Sequence, residues 1–174
     1  YLLRPLGQRM SRNKRLSILT AAEVEDLYGV PSFNESYQRF YFMLNDKELA
    51  EISRIRQRKY RCVAIALLGY FKCKPVLLNP RYKSMQDDLV FIARFHYRDL
   101  TFRRFSLKPD QKSRIYARVL SIVGVSNWND KRHQPQLVEH LCTCAESWVE
   151  PRAVFDAAIE YLARQKIAIP AYST

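Results

Sequence analysis

Five basic side chains lie within eight consecutive residues about one third of the way along this 174-residue chain. They are Arg54, Arg56, Arg58, Lys59 and Arg61, and no acidic residue lies among them. The planar guanidinium of arginine can donate two parallel hydrogen bonds to a phosphate or to the major-groove edge of guanine. This spacing therefore predicts a surface that binds a polyanion.

The distribution of charge along the chain supports the same interpretation. Residues 1–51 hold seven basic and seven acidic residues, and residues 119–174 hold five and six. Residues 52–118 hold seventeen basic and four acidic residues, so this middle segment carries the whole formal net charge of +12. Charge that only keeps a protein dissolved would be spread out, whereas charge confined to one segment indicates a polyanionic partner.

Other basic residues are candidates for contacts with a nucleic-acid backbone. The candidates beyond the arginine-rich stretch are Lys72, Lys74, Arg103, Arg104, Lys112 and Arg114. Near the start, Arg12, Lys14 and Arg15 form a basic arm, which is either a solvated terminus or a segment that lies on DNA. Several tyrosines lie between the cations, where they either pack in the core or stack on bases. From the residues alone, we predict binding of DNA or RNA.

Local signals predict that helices present these side chains. Sequences of the type Ser/Thr/Asn-x-x-Glu/Asp, which start helices, occur at four places. Two prolines suit a first helical turn, and two glycines are placed to end helices. No run alternates between apolar and polar residues as a strand would, so we expect an all-α fold. The signals are Thr20–Glu23, Ser32–Glu35, Asn45–Glu48, Ser84–Asp87, Pro109, Pro151, Gly29 and Gly124.

The predicted helices form a compact multi-helix domain or two small helix-turn-helix-like subdomains. We divide the chain into a flexible basic arm at residues 1–16, a first subdomain at 17–83 and a second at 84–174. Met10 is typical of a natural start, so residues 1–9 are left out of the fold prediction. Ile167–Thr174 is expected to be a tail that begins to leave the domain.

Two geometries are open for the arginine-rich stretch. Residues 62–71 are apolar nearly all round, which predicts a buried helix. If one unbroken helix leads into it, Arg54, Arg58 and Arg61 share the face away from the core. In that case these three matter more for binding than Arg56 or Lys59. If the chain instead turns near Gln57, this ranking no longer applies.

The residues also argue against several other classes of function. The four cysteines lack the paired spacing of a zinc site, and the three histidines are scattered. There is no glycine-rich phosphate loop, nucleophile elbow or zinc-protease motif, so we expect no metal, no cofactor and no catalysis. No run of eighteen apolar residues and no signal peptide is present, so we expect a cytoplasmic protein that makes no contact with a membrane.

The order of these segments resembles the N-terminal domain of the replicative Tn-three family transposases. The resemblance lies in a leucine-threonine start at residues 18–23, a tyrosine-rich segment before an acid-leucine helix at 40–49, and an arginine-rich turn leading to an apolar helix that closes at Pro75. It also covers the final helix at Ala157–Thr174. The family usually has glycines where this sequence has Gln57 and Val63, and Arg61 is the strongest match.

This resemblance implies a function more specific than nucleic-acid binding. It implies an all-α domain that binds the terminal inverted repeats of a transposon as double-stranded DNA, in the nucleoid of a bacterium. It further implies that a separate DDE-type domain performs catalysis and that the full-length transposase self-associates. The alternatives are a helical protein–protein assembly module with a basic face, and an RNA-binding domain.

Overall fold

The computed structural model describes residues 18–103, 105–147 and 150–171. Within these ranges the chain forms eight α-helices and no strand, which confirms the predicted all-α class. No helix in these ranges is long and apolar enough to cross a membrane. The helices are α1 Ala21–Tyr28, α2 Glu35–Phe42, α3 Asp46–Ser53, α4 Arg58–Cys73, α5 Tyr82–His96, α6 Pro109–Val123, α7 His133–Ala145 and α8 Pro151–Arg164.

Two of the four predicted capping signals start helices as expected. The Thr20 hydroxyl accepts a hydrogen bond from the Glu23 amide, and the Glu23 carboxylate accepts one from the Thr20 amide. Asn45 and Glu48 form the same reciprocal pair at the start of α3. Each pair satisfies two backbone N–H groups that the first helical turn leaves without a partner.

The other two predicted caps are wrong. Helix α2 is capped by Asn34, whose Oδ1 accepts from the Tyr37 amide at 2.9 Å, and not by Ser32. Helix α5 already begins at Tyr82, so Ser84 lies inside its first turn, where its hydroxyl donates to the Arg81 carbonyl at 2.8 Å. At α2 the Asn34 side chain, two residues after Ser32, makes the capping bond instead. At α5 the N-cap is Arg81, which makes no side-chain capping bond.

Helix α4 is the centre of the fold. All ten residues from Cys62 to Phe71 are buried, and α2, α3, α5 and α6 pack around them. A helix that is apolar on every side needs cover on every side, which explains its central place. Gly69 permits a close approach of α2 to α4, because a Cβ at this position would lie 2.5 Å from the Phe42 ring of α2.

One buried carboxylate ties three helices together. Asp88 of α5 accepts hydrogen bonds from the Tyr70 hydroxyl of α4 at 2.5 Å and from the Gln38 amide of α2 at 2.8 Å. Burial raises the pKa of Asp88 above its usual range. The two donors satisfy a polar group that would otherwise be costly inside the core.

The segment after α8 returns to the core. Ile167, Ala168 and Ile169 are buried, and Ile169 and Ile167 form isolated parallel bridges with Val76 and Ser126. The prediction that a departing tail begins at Ile167 is therefore wrong for these three residues, because their apolar side chains complete the core. The core also runs without a break across the predicted boundary at residues 83 and 84. The division into one subdomain at residues 17–83 and another at 84–174 stays a prediction.

Candidate nucleic-acid interface

The arginine-rich stretch is a turn between two helices. Helix α3 ends at Ser53, and Gln57, with extended backbone angles of φ −95° and ψ 126°, is the N-cap of α4. The chain thus turns near Gln57, which is the second of the two predicted geometries. The face that Arg54, Arg58 and Arg61 would have shared on an unbroken helix does not form, and each side chain has different surroundings.

Arg61 points back into the protein and holds this turn in place. Its Nε donates to the Ile55 carbonyl at 2.6 Å, and its Nη2 donates to the Ser53 carbonyl at 2.9 Å. The Ser53 carbonyl is one of those that the end of α3 leaves without a helical partner, and the Ile55 carbonyl belongs to the turn itself. The strongest match to the transposase pattern is therefore a half-buried residue that positions its neighbours.

Three arginines of the turn reach solvent. Arg56 is exposed and makes no hydrogen bond or ion pair within the described ranges. Arg54 forms a 2.7 Å ion pair with Glu51, and Arg58 forms a 2.8 Å ion pair with Asp99. Both pairs are at the surface, where an ion pair typically stabilises by only about 0–1 kcal/mol. A phosphate can therefore compete for these two guanidinium groups.

The loop after α5 lies beside the first turn of α4. The Nζ of Lys59 lies 5.0 Å from the ring centroid of Tyr60 and 5.2 Å from that of Phe105. A cation held over two aromatic faces keeps a defined position while remaining open to a third partner. Arg103 of this loop is exposed. The predicted contacts at Arg104 and at Arg12, Lys14 and Arg15 lie outside the described residues.

Helix α6 adds a second face to this surface. Its Arg118 forms a 2.7 Å ion pair with Glu51, the carboxylate that also binds Arg54. Arg114 lies one helical turn earlier on the same side of α6 and is exposed. Lys112 lies about 200° away around the helix, where its ammonium contacts the Asn79 side chain and burial lowers its pKa. Arg114 therefore joins the turn, whereas Lys112 does not.

Lys72 and Lys74 lie at the opposite end of α4. The sixteen residues of this helix span about 24 Å at 1.5 Å per residue. Lys72 Nζ is 2.9 Å from the buried Glu48 carboxylate, and Lys74 Nζ donates to the carbonyls of Asp26 and Gly29. The structure therefore does not bring these two lysines together with the arginines of the turn.

We use the name turn surface for the cations that the α3–α4 turn, the following loop and α6 bring together. Arg118 was not among the predicted DNA-binding residues, although its spacing of four residues from Arg114 places both on one side of α6. Two acids, Glu51 and Asp99, lie among these cations. The turn surface consists of Arg54, Arg56, Arg58, Lys59, Arg103, Arg114 and Arg118.

The burial of α4 limits how this surface can meet a nucleic acid. In a helix-turn-helix protein the second helix lies in the major groove. Here α4 follows the turn, but its residues 62–71 are buried, and only Arg58 and Lys59 of its first turn lie at the turn surface. The division into two helix-turn-helix-like subdomains stays a prediction. A contact between the turn surface and a nucleic acid would be made by the turn, by the loop after α5 and by α6.

The described ranges contain no group of three or more His, Cys, Asp or Glu side chains that could hold a metal ion.

In the comparison with known proteins, one family model matches residues 18–174, and its description is a domain of unknown function, DUF4158. No curated protein and no solved structure gave a significant match. Because the matched residues make up most of its length, the chain belongs to the DUF4158 family.

Proposed function

We propose that the chain binds double-stranded DNA through the turn surface. One observation carries the proposal: Arg56 stands exposed at the turn, without a partner in the described ranges, between two exposed arginines held only by surface ion pairs. Phosphate oxygens accept charge-assisted hydrogen bonds from such guanidinium groups. Other cations of the middle segment are less available to a phosphate, because Lys72, Lys74 and Lys112 already bind side-chain or backbone oxygens of the protein.

The support beneath the turn favours specific binding. Arg61 fixes the turn to the end of α3, and α4 is held by the core on every side. A cation that is positioned before binding loses less conformational entropy when it meets a phosphate. The turn surface can therefore define a register along the DNA backbone, which is what contacts to phosphates contribute to recognition.

We further propose that the DNA is the terminal inverted repeat of a transposon and that the chain supplies binding without cleavage. The transposase-like order of segments supports this, as does the occurrence of DUF4158 domains in transposase-related proteins. In this proposal the protein acts at the bacterial nucleoid, and a separate DDE-type domain performs the chemistry.

The test is a salt-dependent binding titration. Purified protein is titrated onto a duplex that carries the inverted repeat flanking its gene, onto a scrambled duplex and onto an RNA hairpin. We expect tighter binding to the repeat, and an affinity that falls with salt at a log–log slope of about −0.9 for each phosphate neutralised.

Each of the other outcomes is equally informative. Equal affinity for both duplexes would reject inverted-repeat recognition and leave only general DNA binding. Tighter binding to the RNA hairpin would favour the RNA-binding alternative. An absence of binding at low salt would reject nucleic-acid binding and favour an assembly module whose basic face meets an acidic protein.

A further inference from the structure

Helix α5 carries an exposed stripe on the side that faces away from the core. Its buried residues lie on one face, and Asp87, Val90 and Arg94 lie on the opposite face at intervals of three and four residues. Val90 and Phe95 each keep 41% of their surface exposed. Phe91 and Phe95 line an open groove of about 540 Å³ between α5 and α2. The Phe91 and Phe95 rings stack with their centroids 5.7 Å apart, so with Val90 they form one apolar patch of the kind that a second protein can cover.

We infer that this stripe binds a second copy of the chain, with the two α5 helices antiparallel about a two-fold axis. An axis midway between Val90 and Phe91 lies three and a half residues, about 5 Å, from both Asp87 and Arg94. Asp87 of each copy then faces Arg94 of the other, and the valines and phenylalanines form the centre. These positions are therefore complementary to themselves, which a two-fold interface requires. The exposed Lys83 lies on the same face but about 11 Å from the axis, outside this centre.

The same charges exclude the parallel arrangement. Parallel α5 helices would place Asp87 against Asp87 and Arg94 against Arg94, and like charges in contact are unfavourable. The flank on α2 is also balanced, because Glu35 and Arg39 form a 2.7 Å ion pair there. Unlike the turn surface, this groove has equal numbers of acidic and basic side chains, so it offers no attraction to DNA. The pairing needs no DNA and does not depend on the proposed function.

Charge exchange on α5 tests the pairing directly. Wild-type protein without DNA is studied by sedimentation equilibrium over three decades of concentration, beside D87R, R94D and D87R/R94D. We expect each single variant to self-associate at least tenfold more weakly than wild type, because it places like charges in both contacts. An equal mixture of D87R and R94D should recover association, since every arginine then faces an aspartate. The double variant should recover it as well.

Three results would overturn the inference. They are a wild-type protein that stays monomeric throughout, single variants that associate as strongly as wild type, and a mixture that fails to recover. Thermal melts by circular dichroism establish that each variant is folded. V90R serves as a second variant, because it should abolish pairing without removing either charge. R56E should pair as wild type does, so a failure of DNA binding would leave this result unaffected.

Discussion

The two ends of α4 carry cations that differ in what they contact. At its start, Arg56 and Arg58 are exposed. Arg58 forms a surface ion pair with Asp99, and Arg56 forms none in the described ranges. At its far end, Lys72 and Lys74 bind a buried carboxylate and the carbonyls at the end of α1. In the sequence the two ends look alike, as basic residues beside an apolar helix. The difference shows that a cation is available to a partner only if the fold has not already used it.

The largest effect is expected on the free energy of unfolding, at the C-terminal end of α4. Lys72→Met removes the ammonium group and leaves the Glu48 carboxylate, only 8% exposed, without its ionic partner. Because the pair is partly open to water, we expect a loss of about 2 kcal/mol in the free energy of unfolding, less than the loss of a fully buried pair. Urea denaturation measures it, and Lys47→Met, at an exposed neighbouring position, is the matched control. Weaker DNA binding by the folded variant would break the comparison.

At the start of α4, the expected effect is on binding alone. Arg56→Glu replaces the exposed cation of the turn by an anion, so we expect affinity for DNA to fall at least tenfold, about 1.4 kcal/mol. The melting temperature should stay unchanged because the side chain is exposed and makes no hydrogen bond or ion pair in the described ranges. Fluorescence anisotropy with a labelled duplex measures the affinity. Arg164→Glu, on α8 and away from the turn surface, is the control for the change in net charge.

Arg114→Ala tests whether α6 belongs to the turn surface. One lost phosphate contact should weaken binding only a few-fold, but the slope of log affinity against log salt should become shallower by about 0.9. Lys112→Ala, two residues earlier on the other face of α6, should leave the slope as in wild type. If the two variants change the slope equally, the separation of these faces has no bearing on binding.

The smallest effect concerns pH and the fold near α2. His96 Nε2 lies 2.9 Å from the Phe42 carbonyl, to which the neutral ring can donate, and burial lowers the pKa of His96 below 6.5. The unfolded chain therefore binds a proton at a higher pH than the folded chain does, so stability is lost as pH falls below about 6.5. We expect a small loss in the free energy of unfolding between pH 7.5 and pH 5.5. Urea midpoints measure it, and His96→Gln should flatten the dependence.

Features that depend on neighbouring residues were predictable from the sequence. The capping pairs at Thr20 and Asn45, the burial of residues 62–71 and the end of α6 at Gly124 each follow from side chains a few residues apart. The choice of Asn34 over Ser32 was not, because it follows from where Phe33 packs: its ring lies 4.8 Å from that of Tyr41. Ser32 has the glutamate three residues later that the local rule asks for, whereas Asn34 has Tyr37 at that place, and yet Asn34 is the cap.

The candidate site was predictable as a segment but not residue by residue. The resemblance indicated the turn near Gln57, which periodicity alone did not. The roles of Arg61 and Lys72 could not be read from the sequence, because their partners are backbone carbonyls of a turn and a carboxylate 24 positions away. Arg118 and Arg54 share Glu51 only because α3 and α6 pack together. A contact between a cation and a partner that is distant in sequence produces no motif that can be recognised in the amino-acid sequence.

Glu51 gives the turn surface an internal counterion. Its two carboxylate oxygens form ion pairs with Arg54 and Arg118. Under the proposed function, a DNA phosphate would have to displace this carboxylate as well as the ions of the solution. Binding is then an exchange of one anion for another, and weakly charged ligands gain little from it. A polymer that replaces both contacts at once has the advantage. If the proposed function holds, the acid that lowers the positive charge of the surface therefore favours long nucleic acids over free phosphate and single nucleotides.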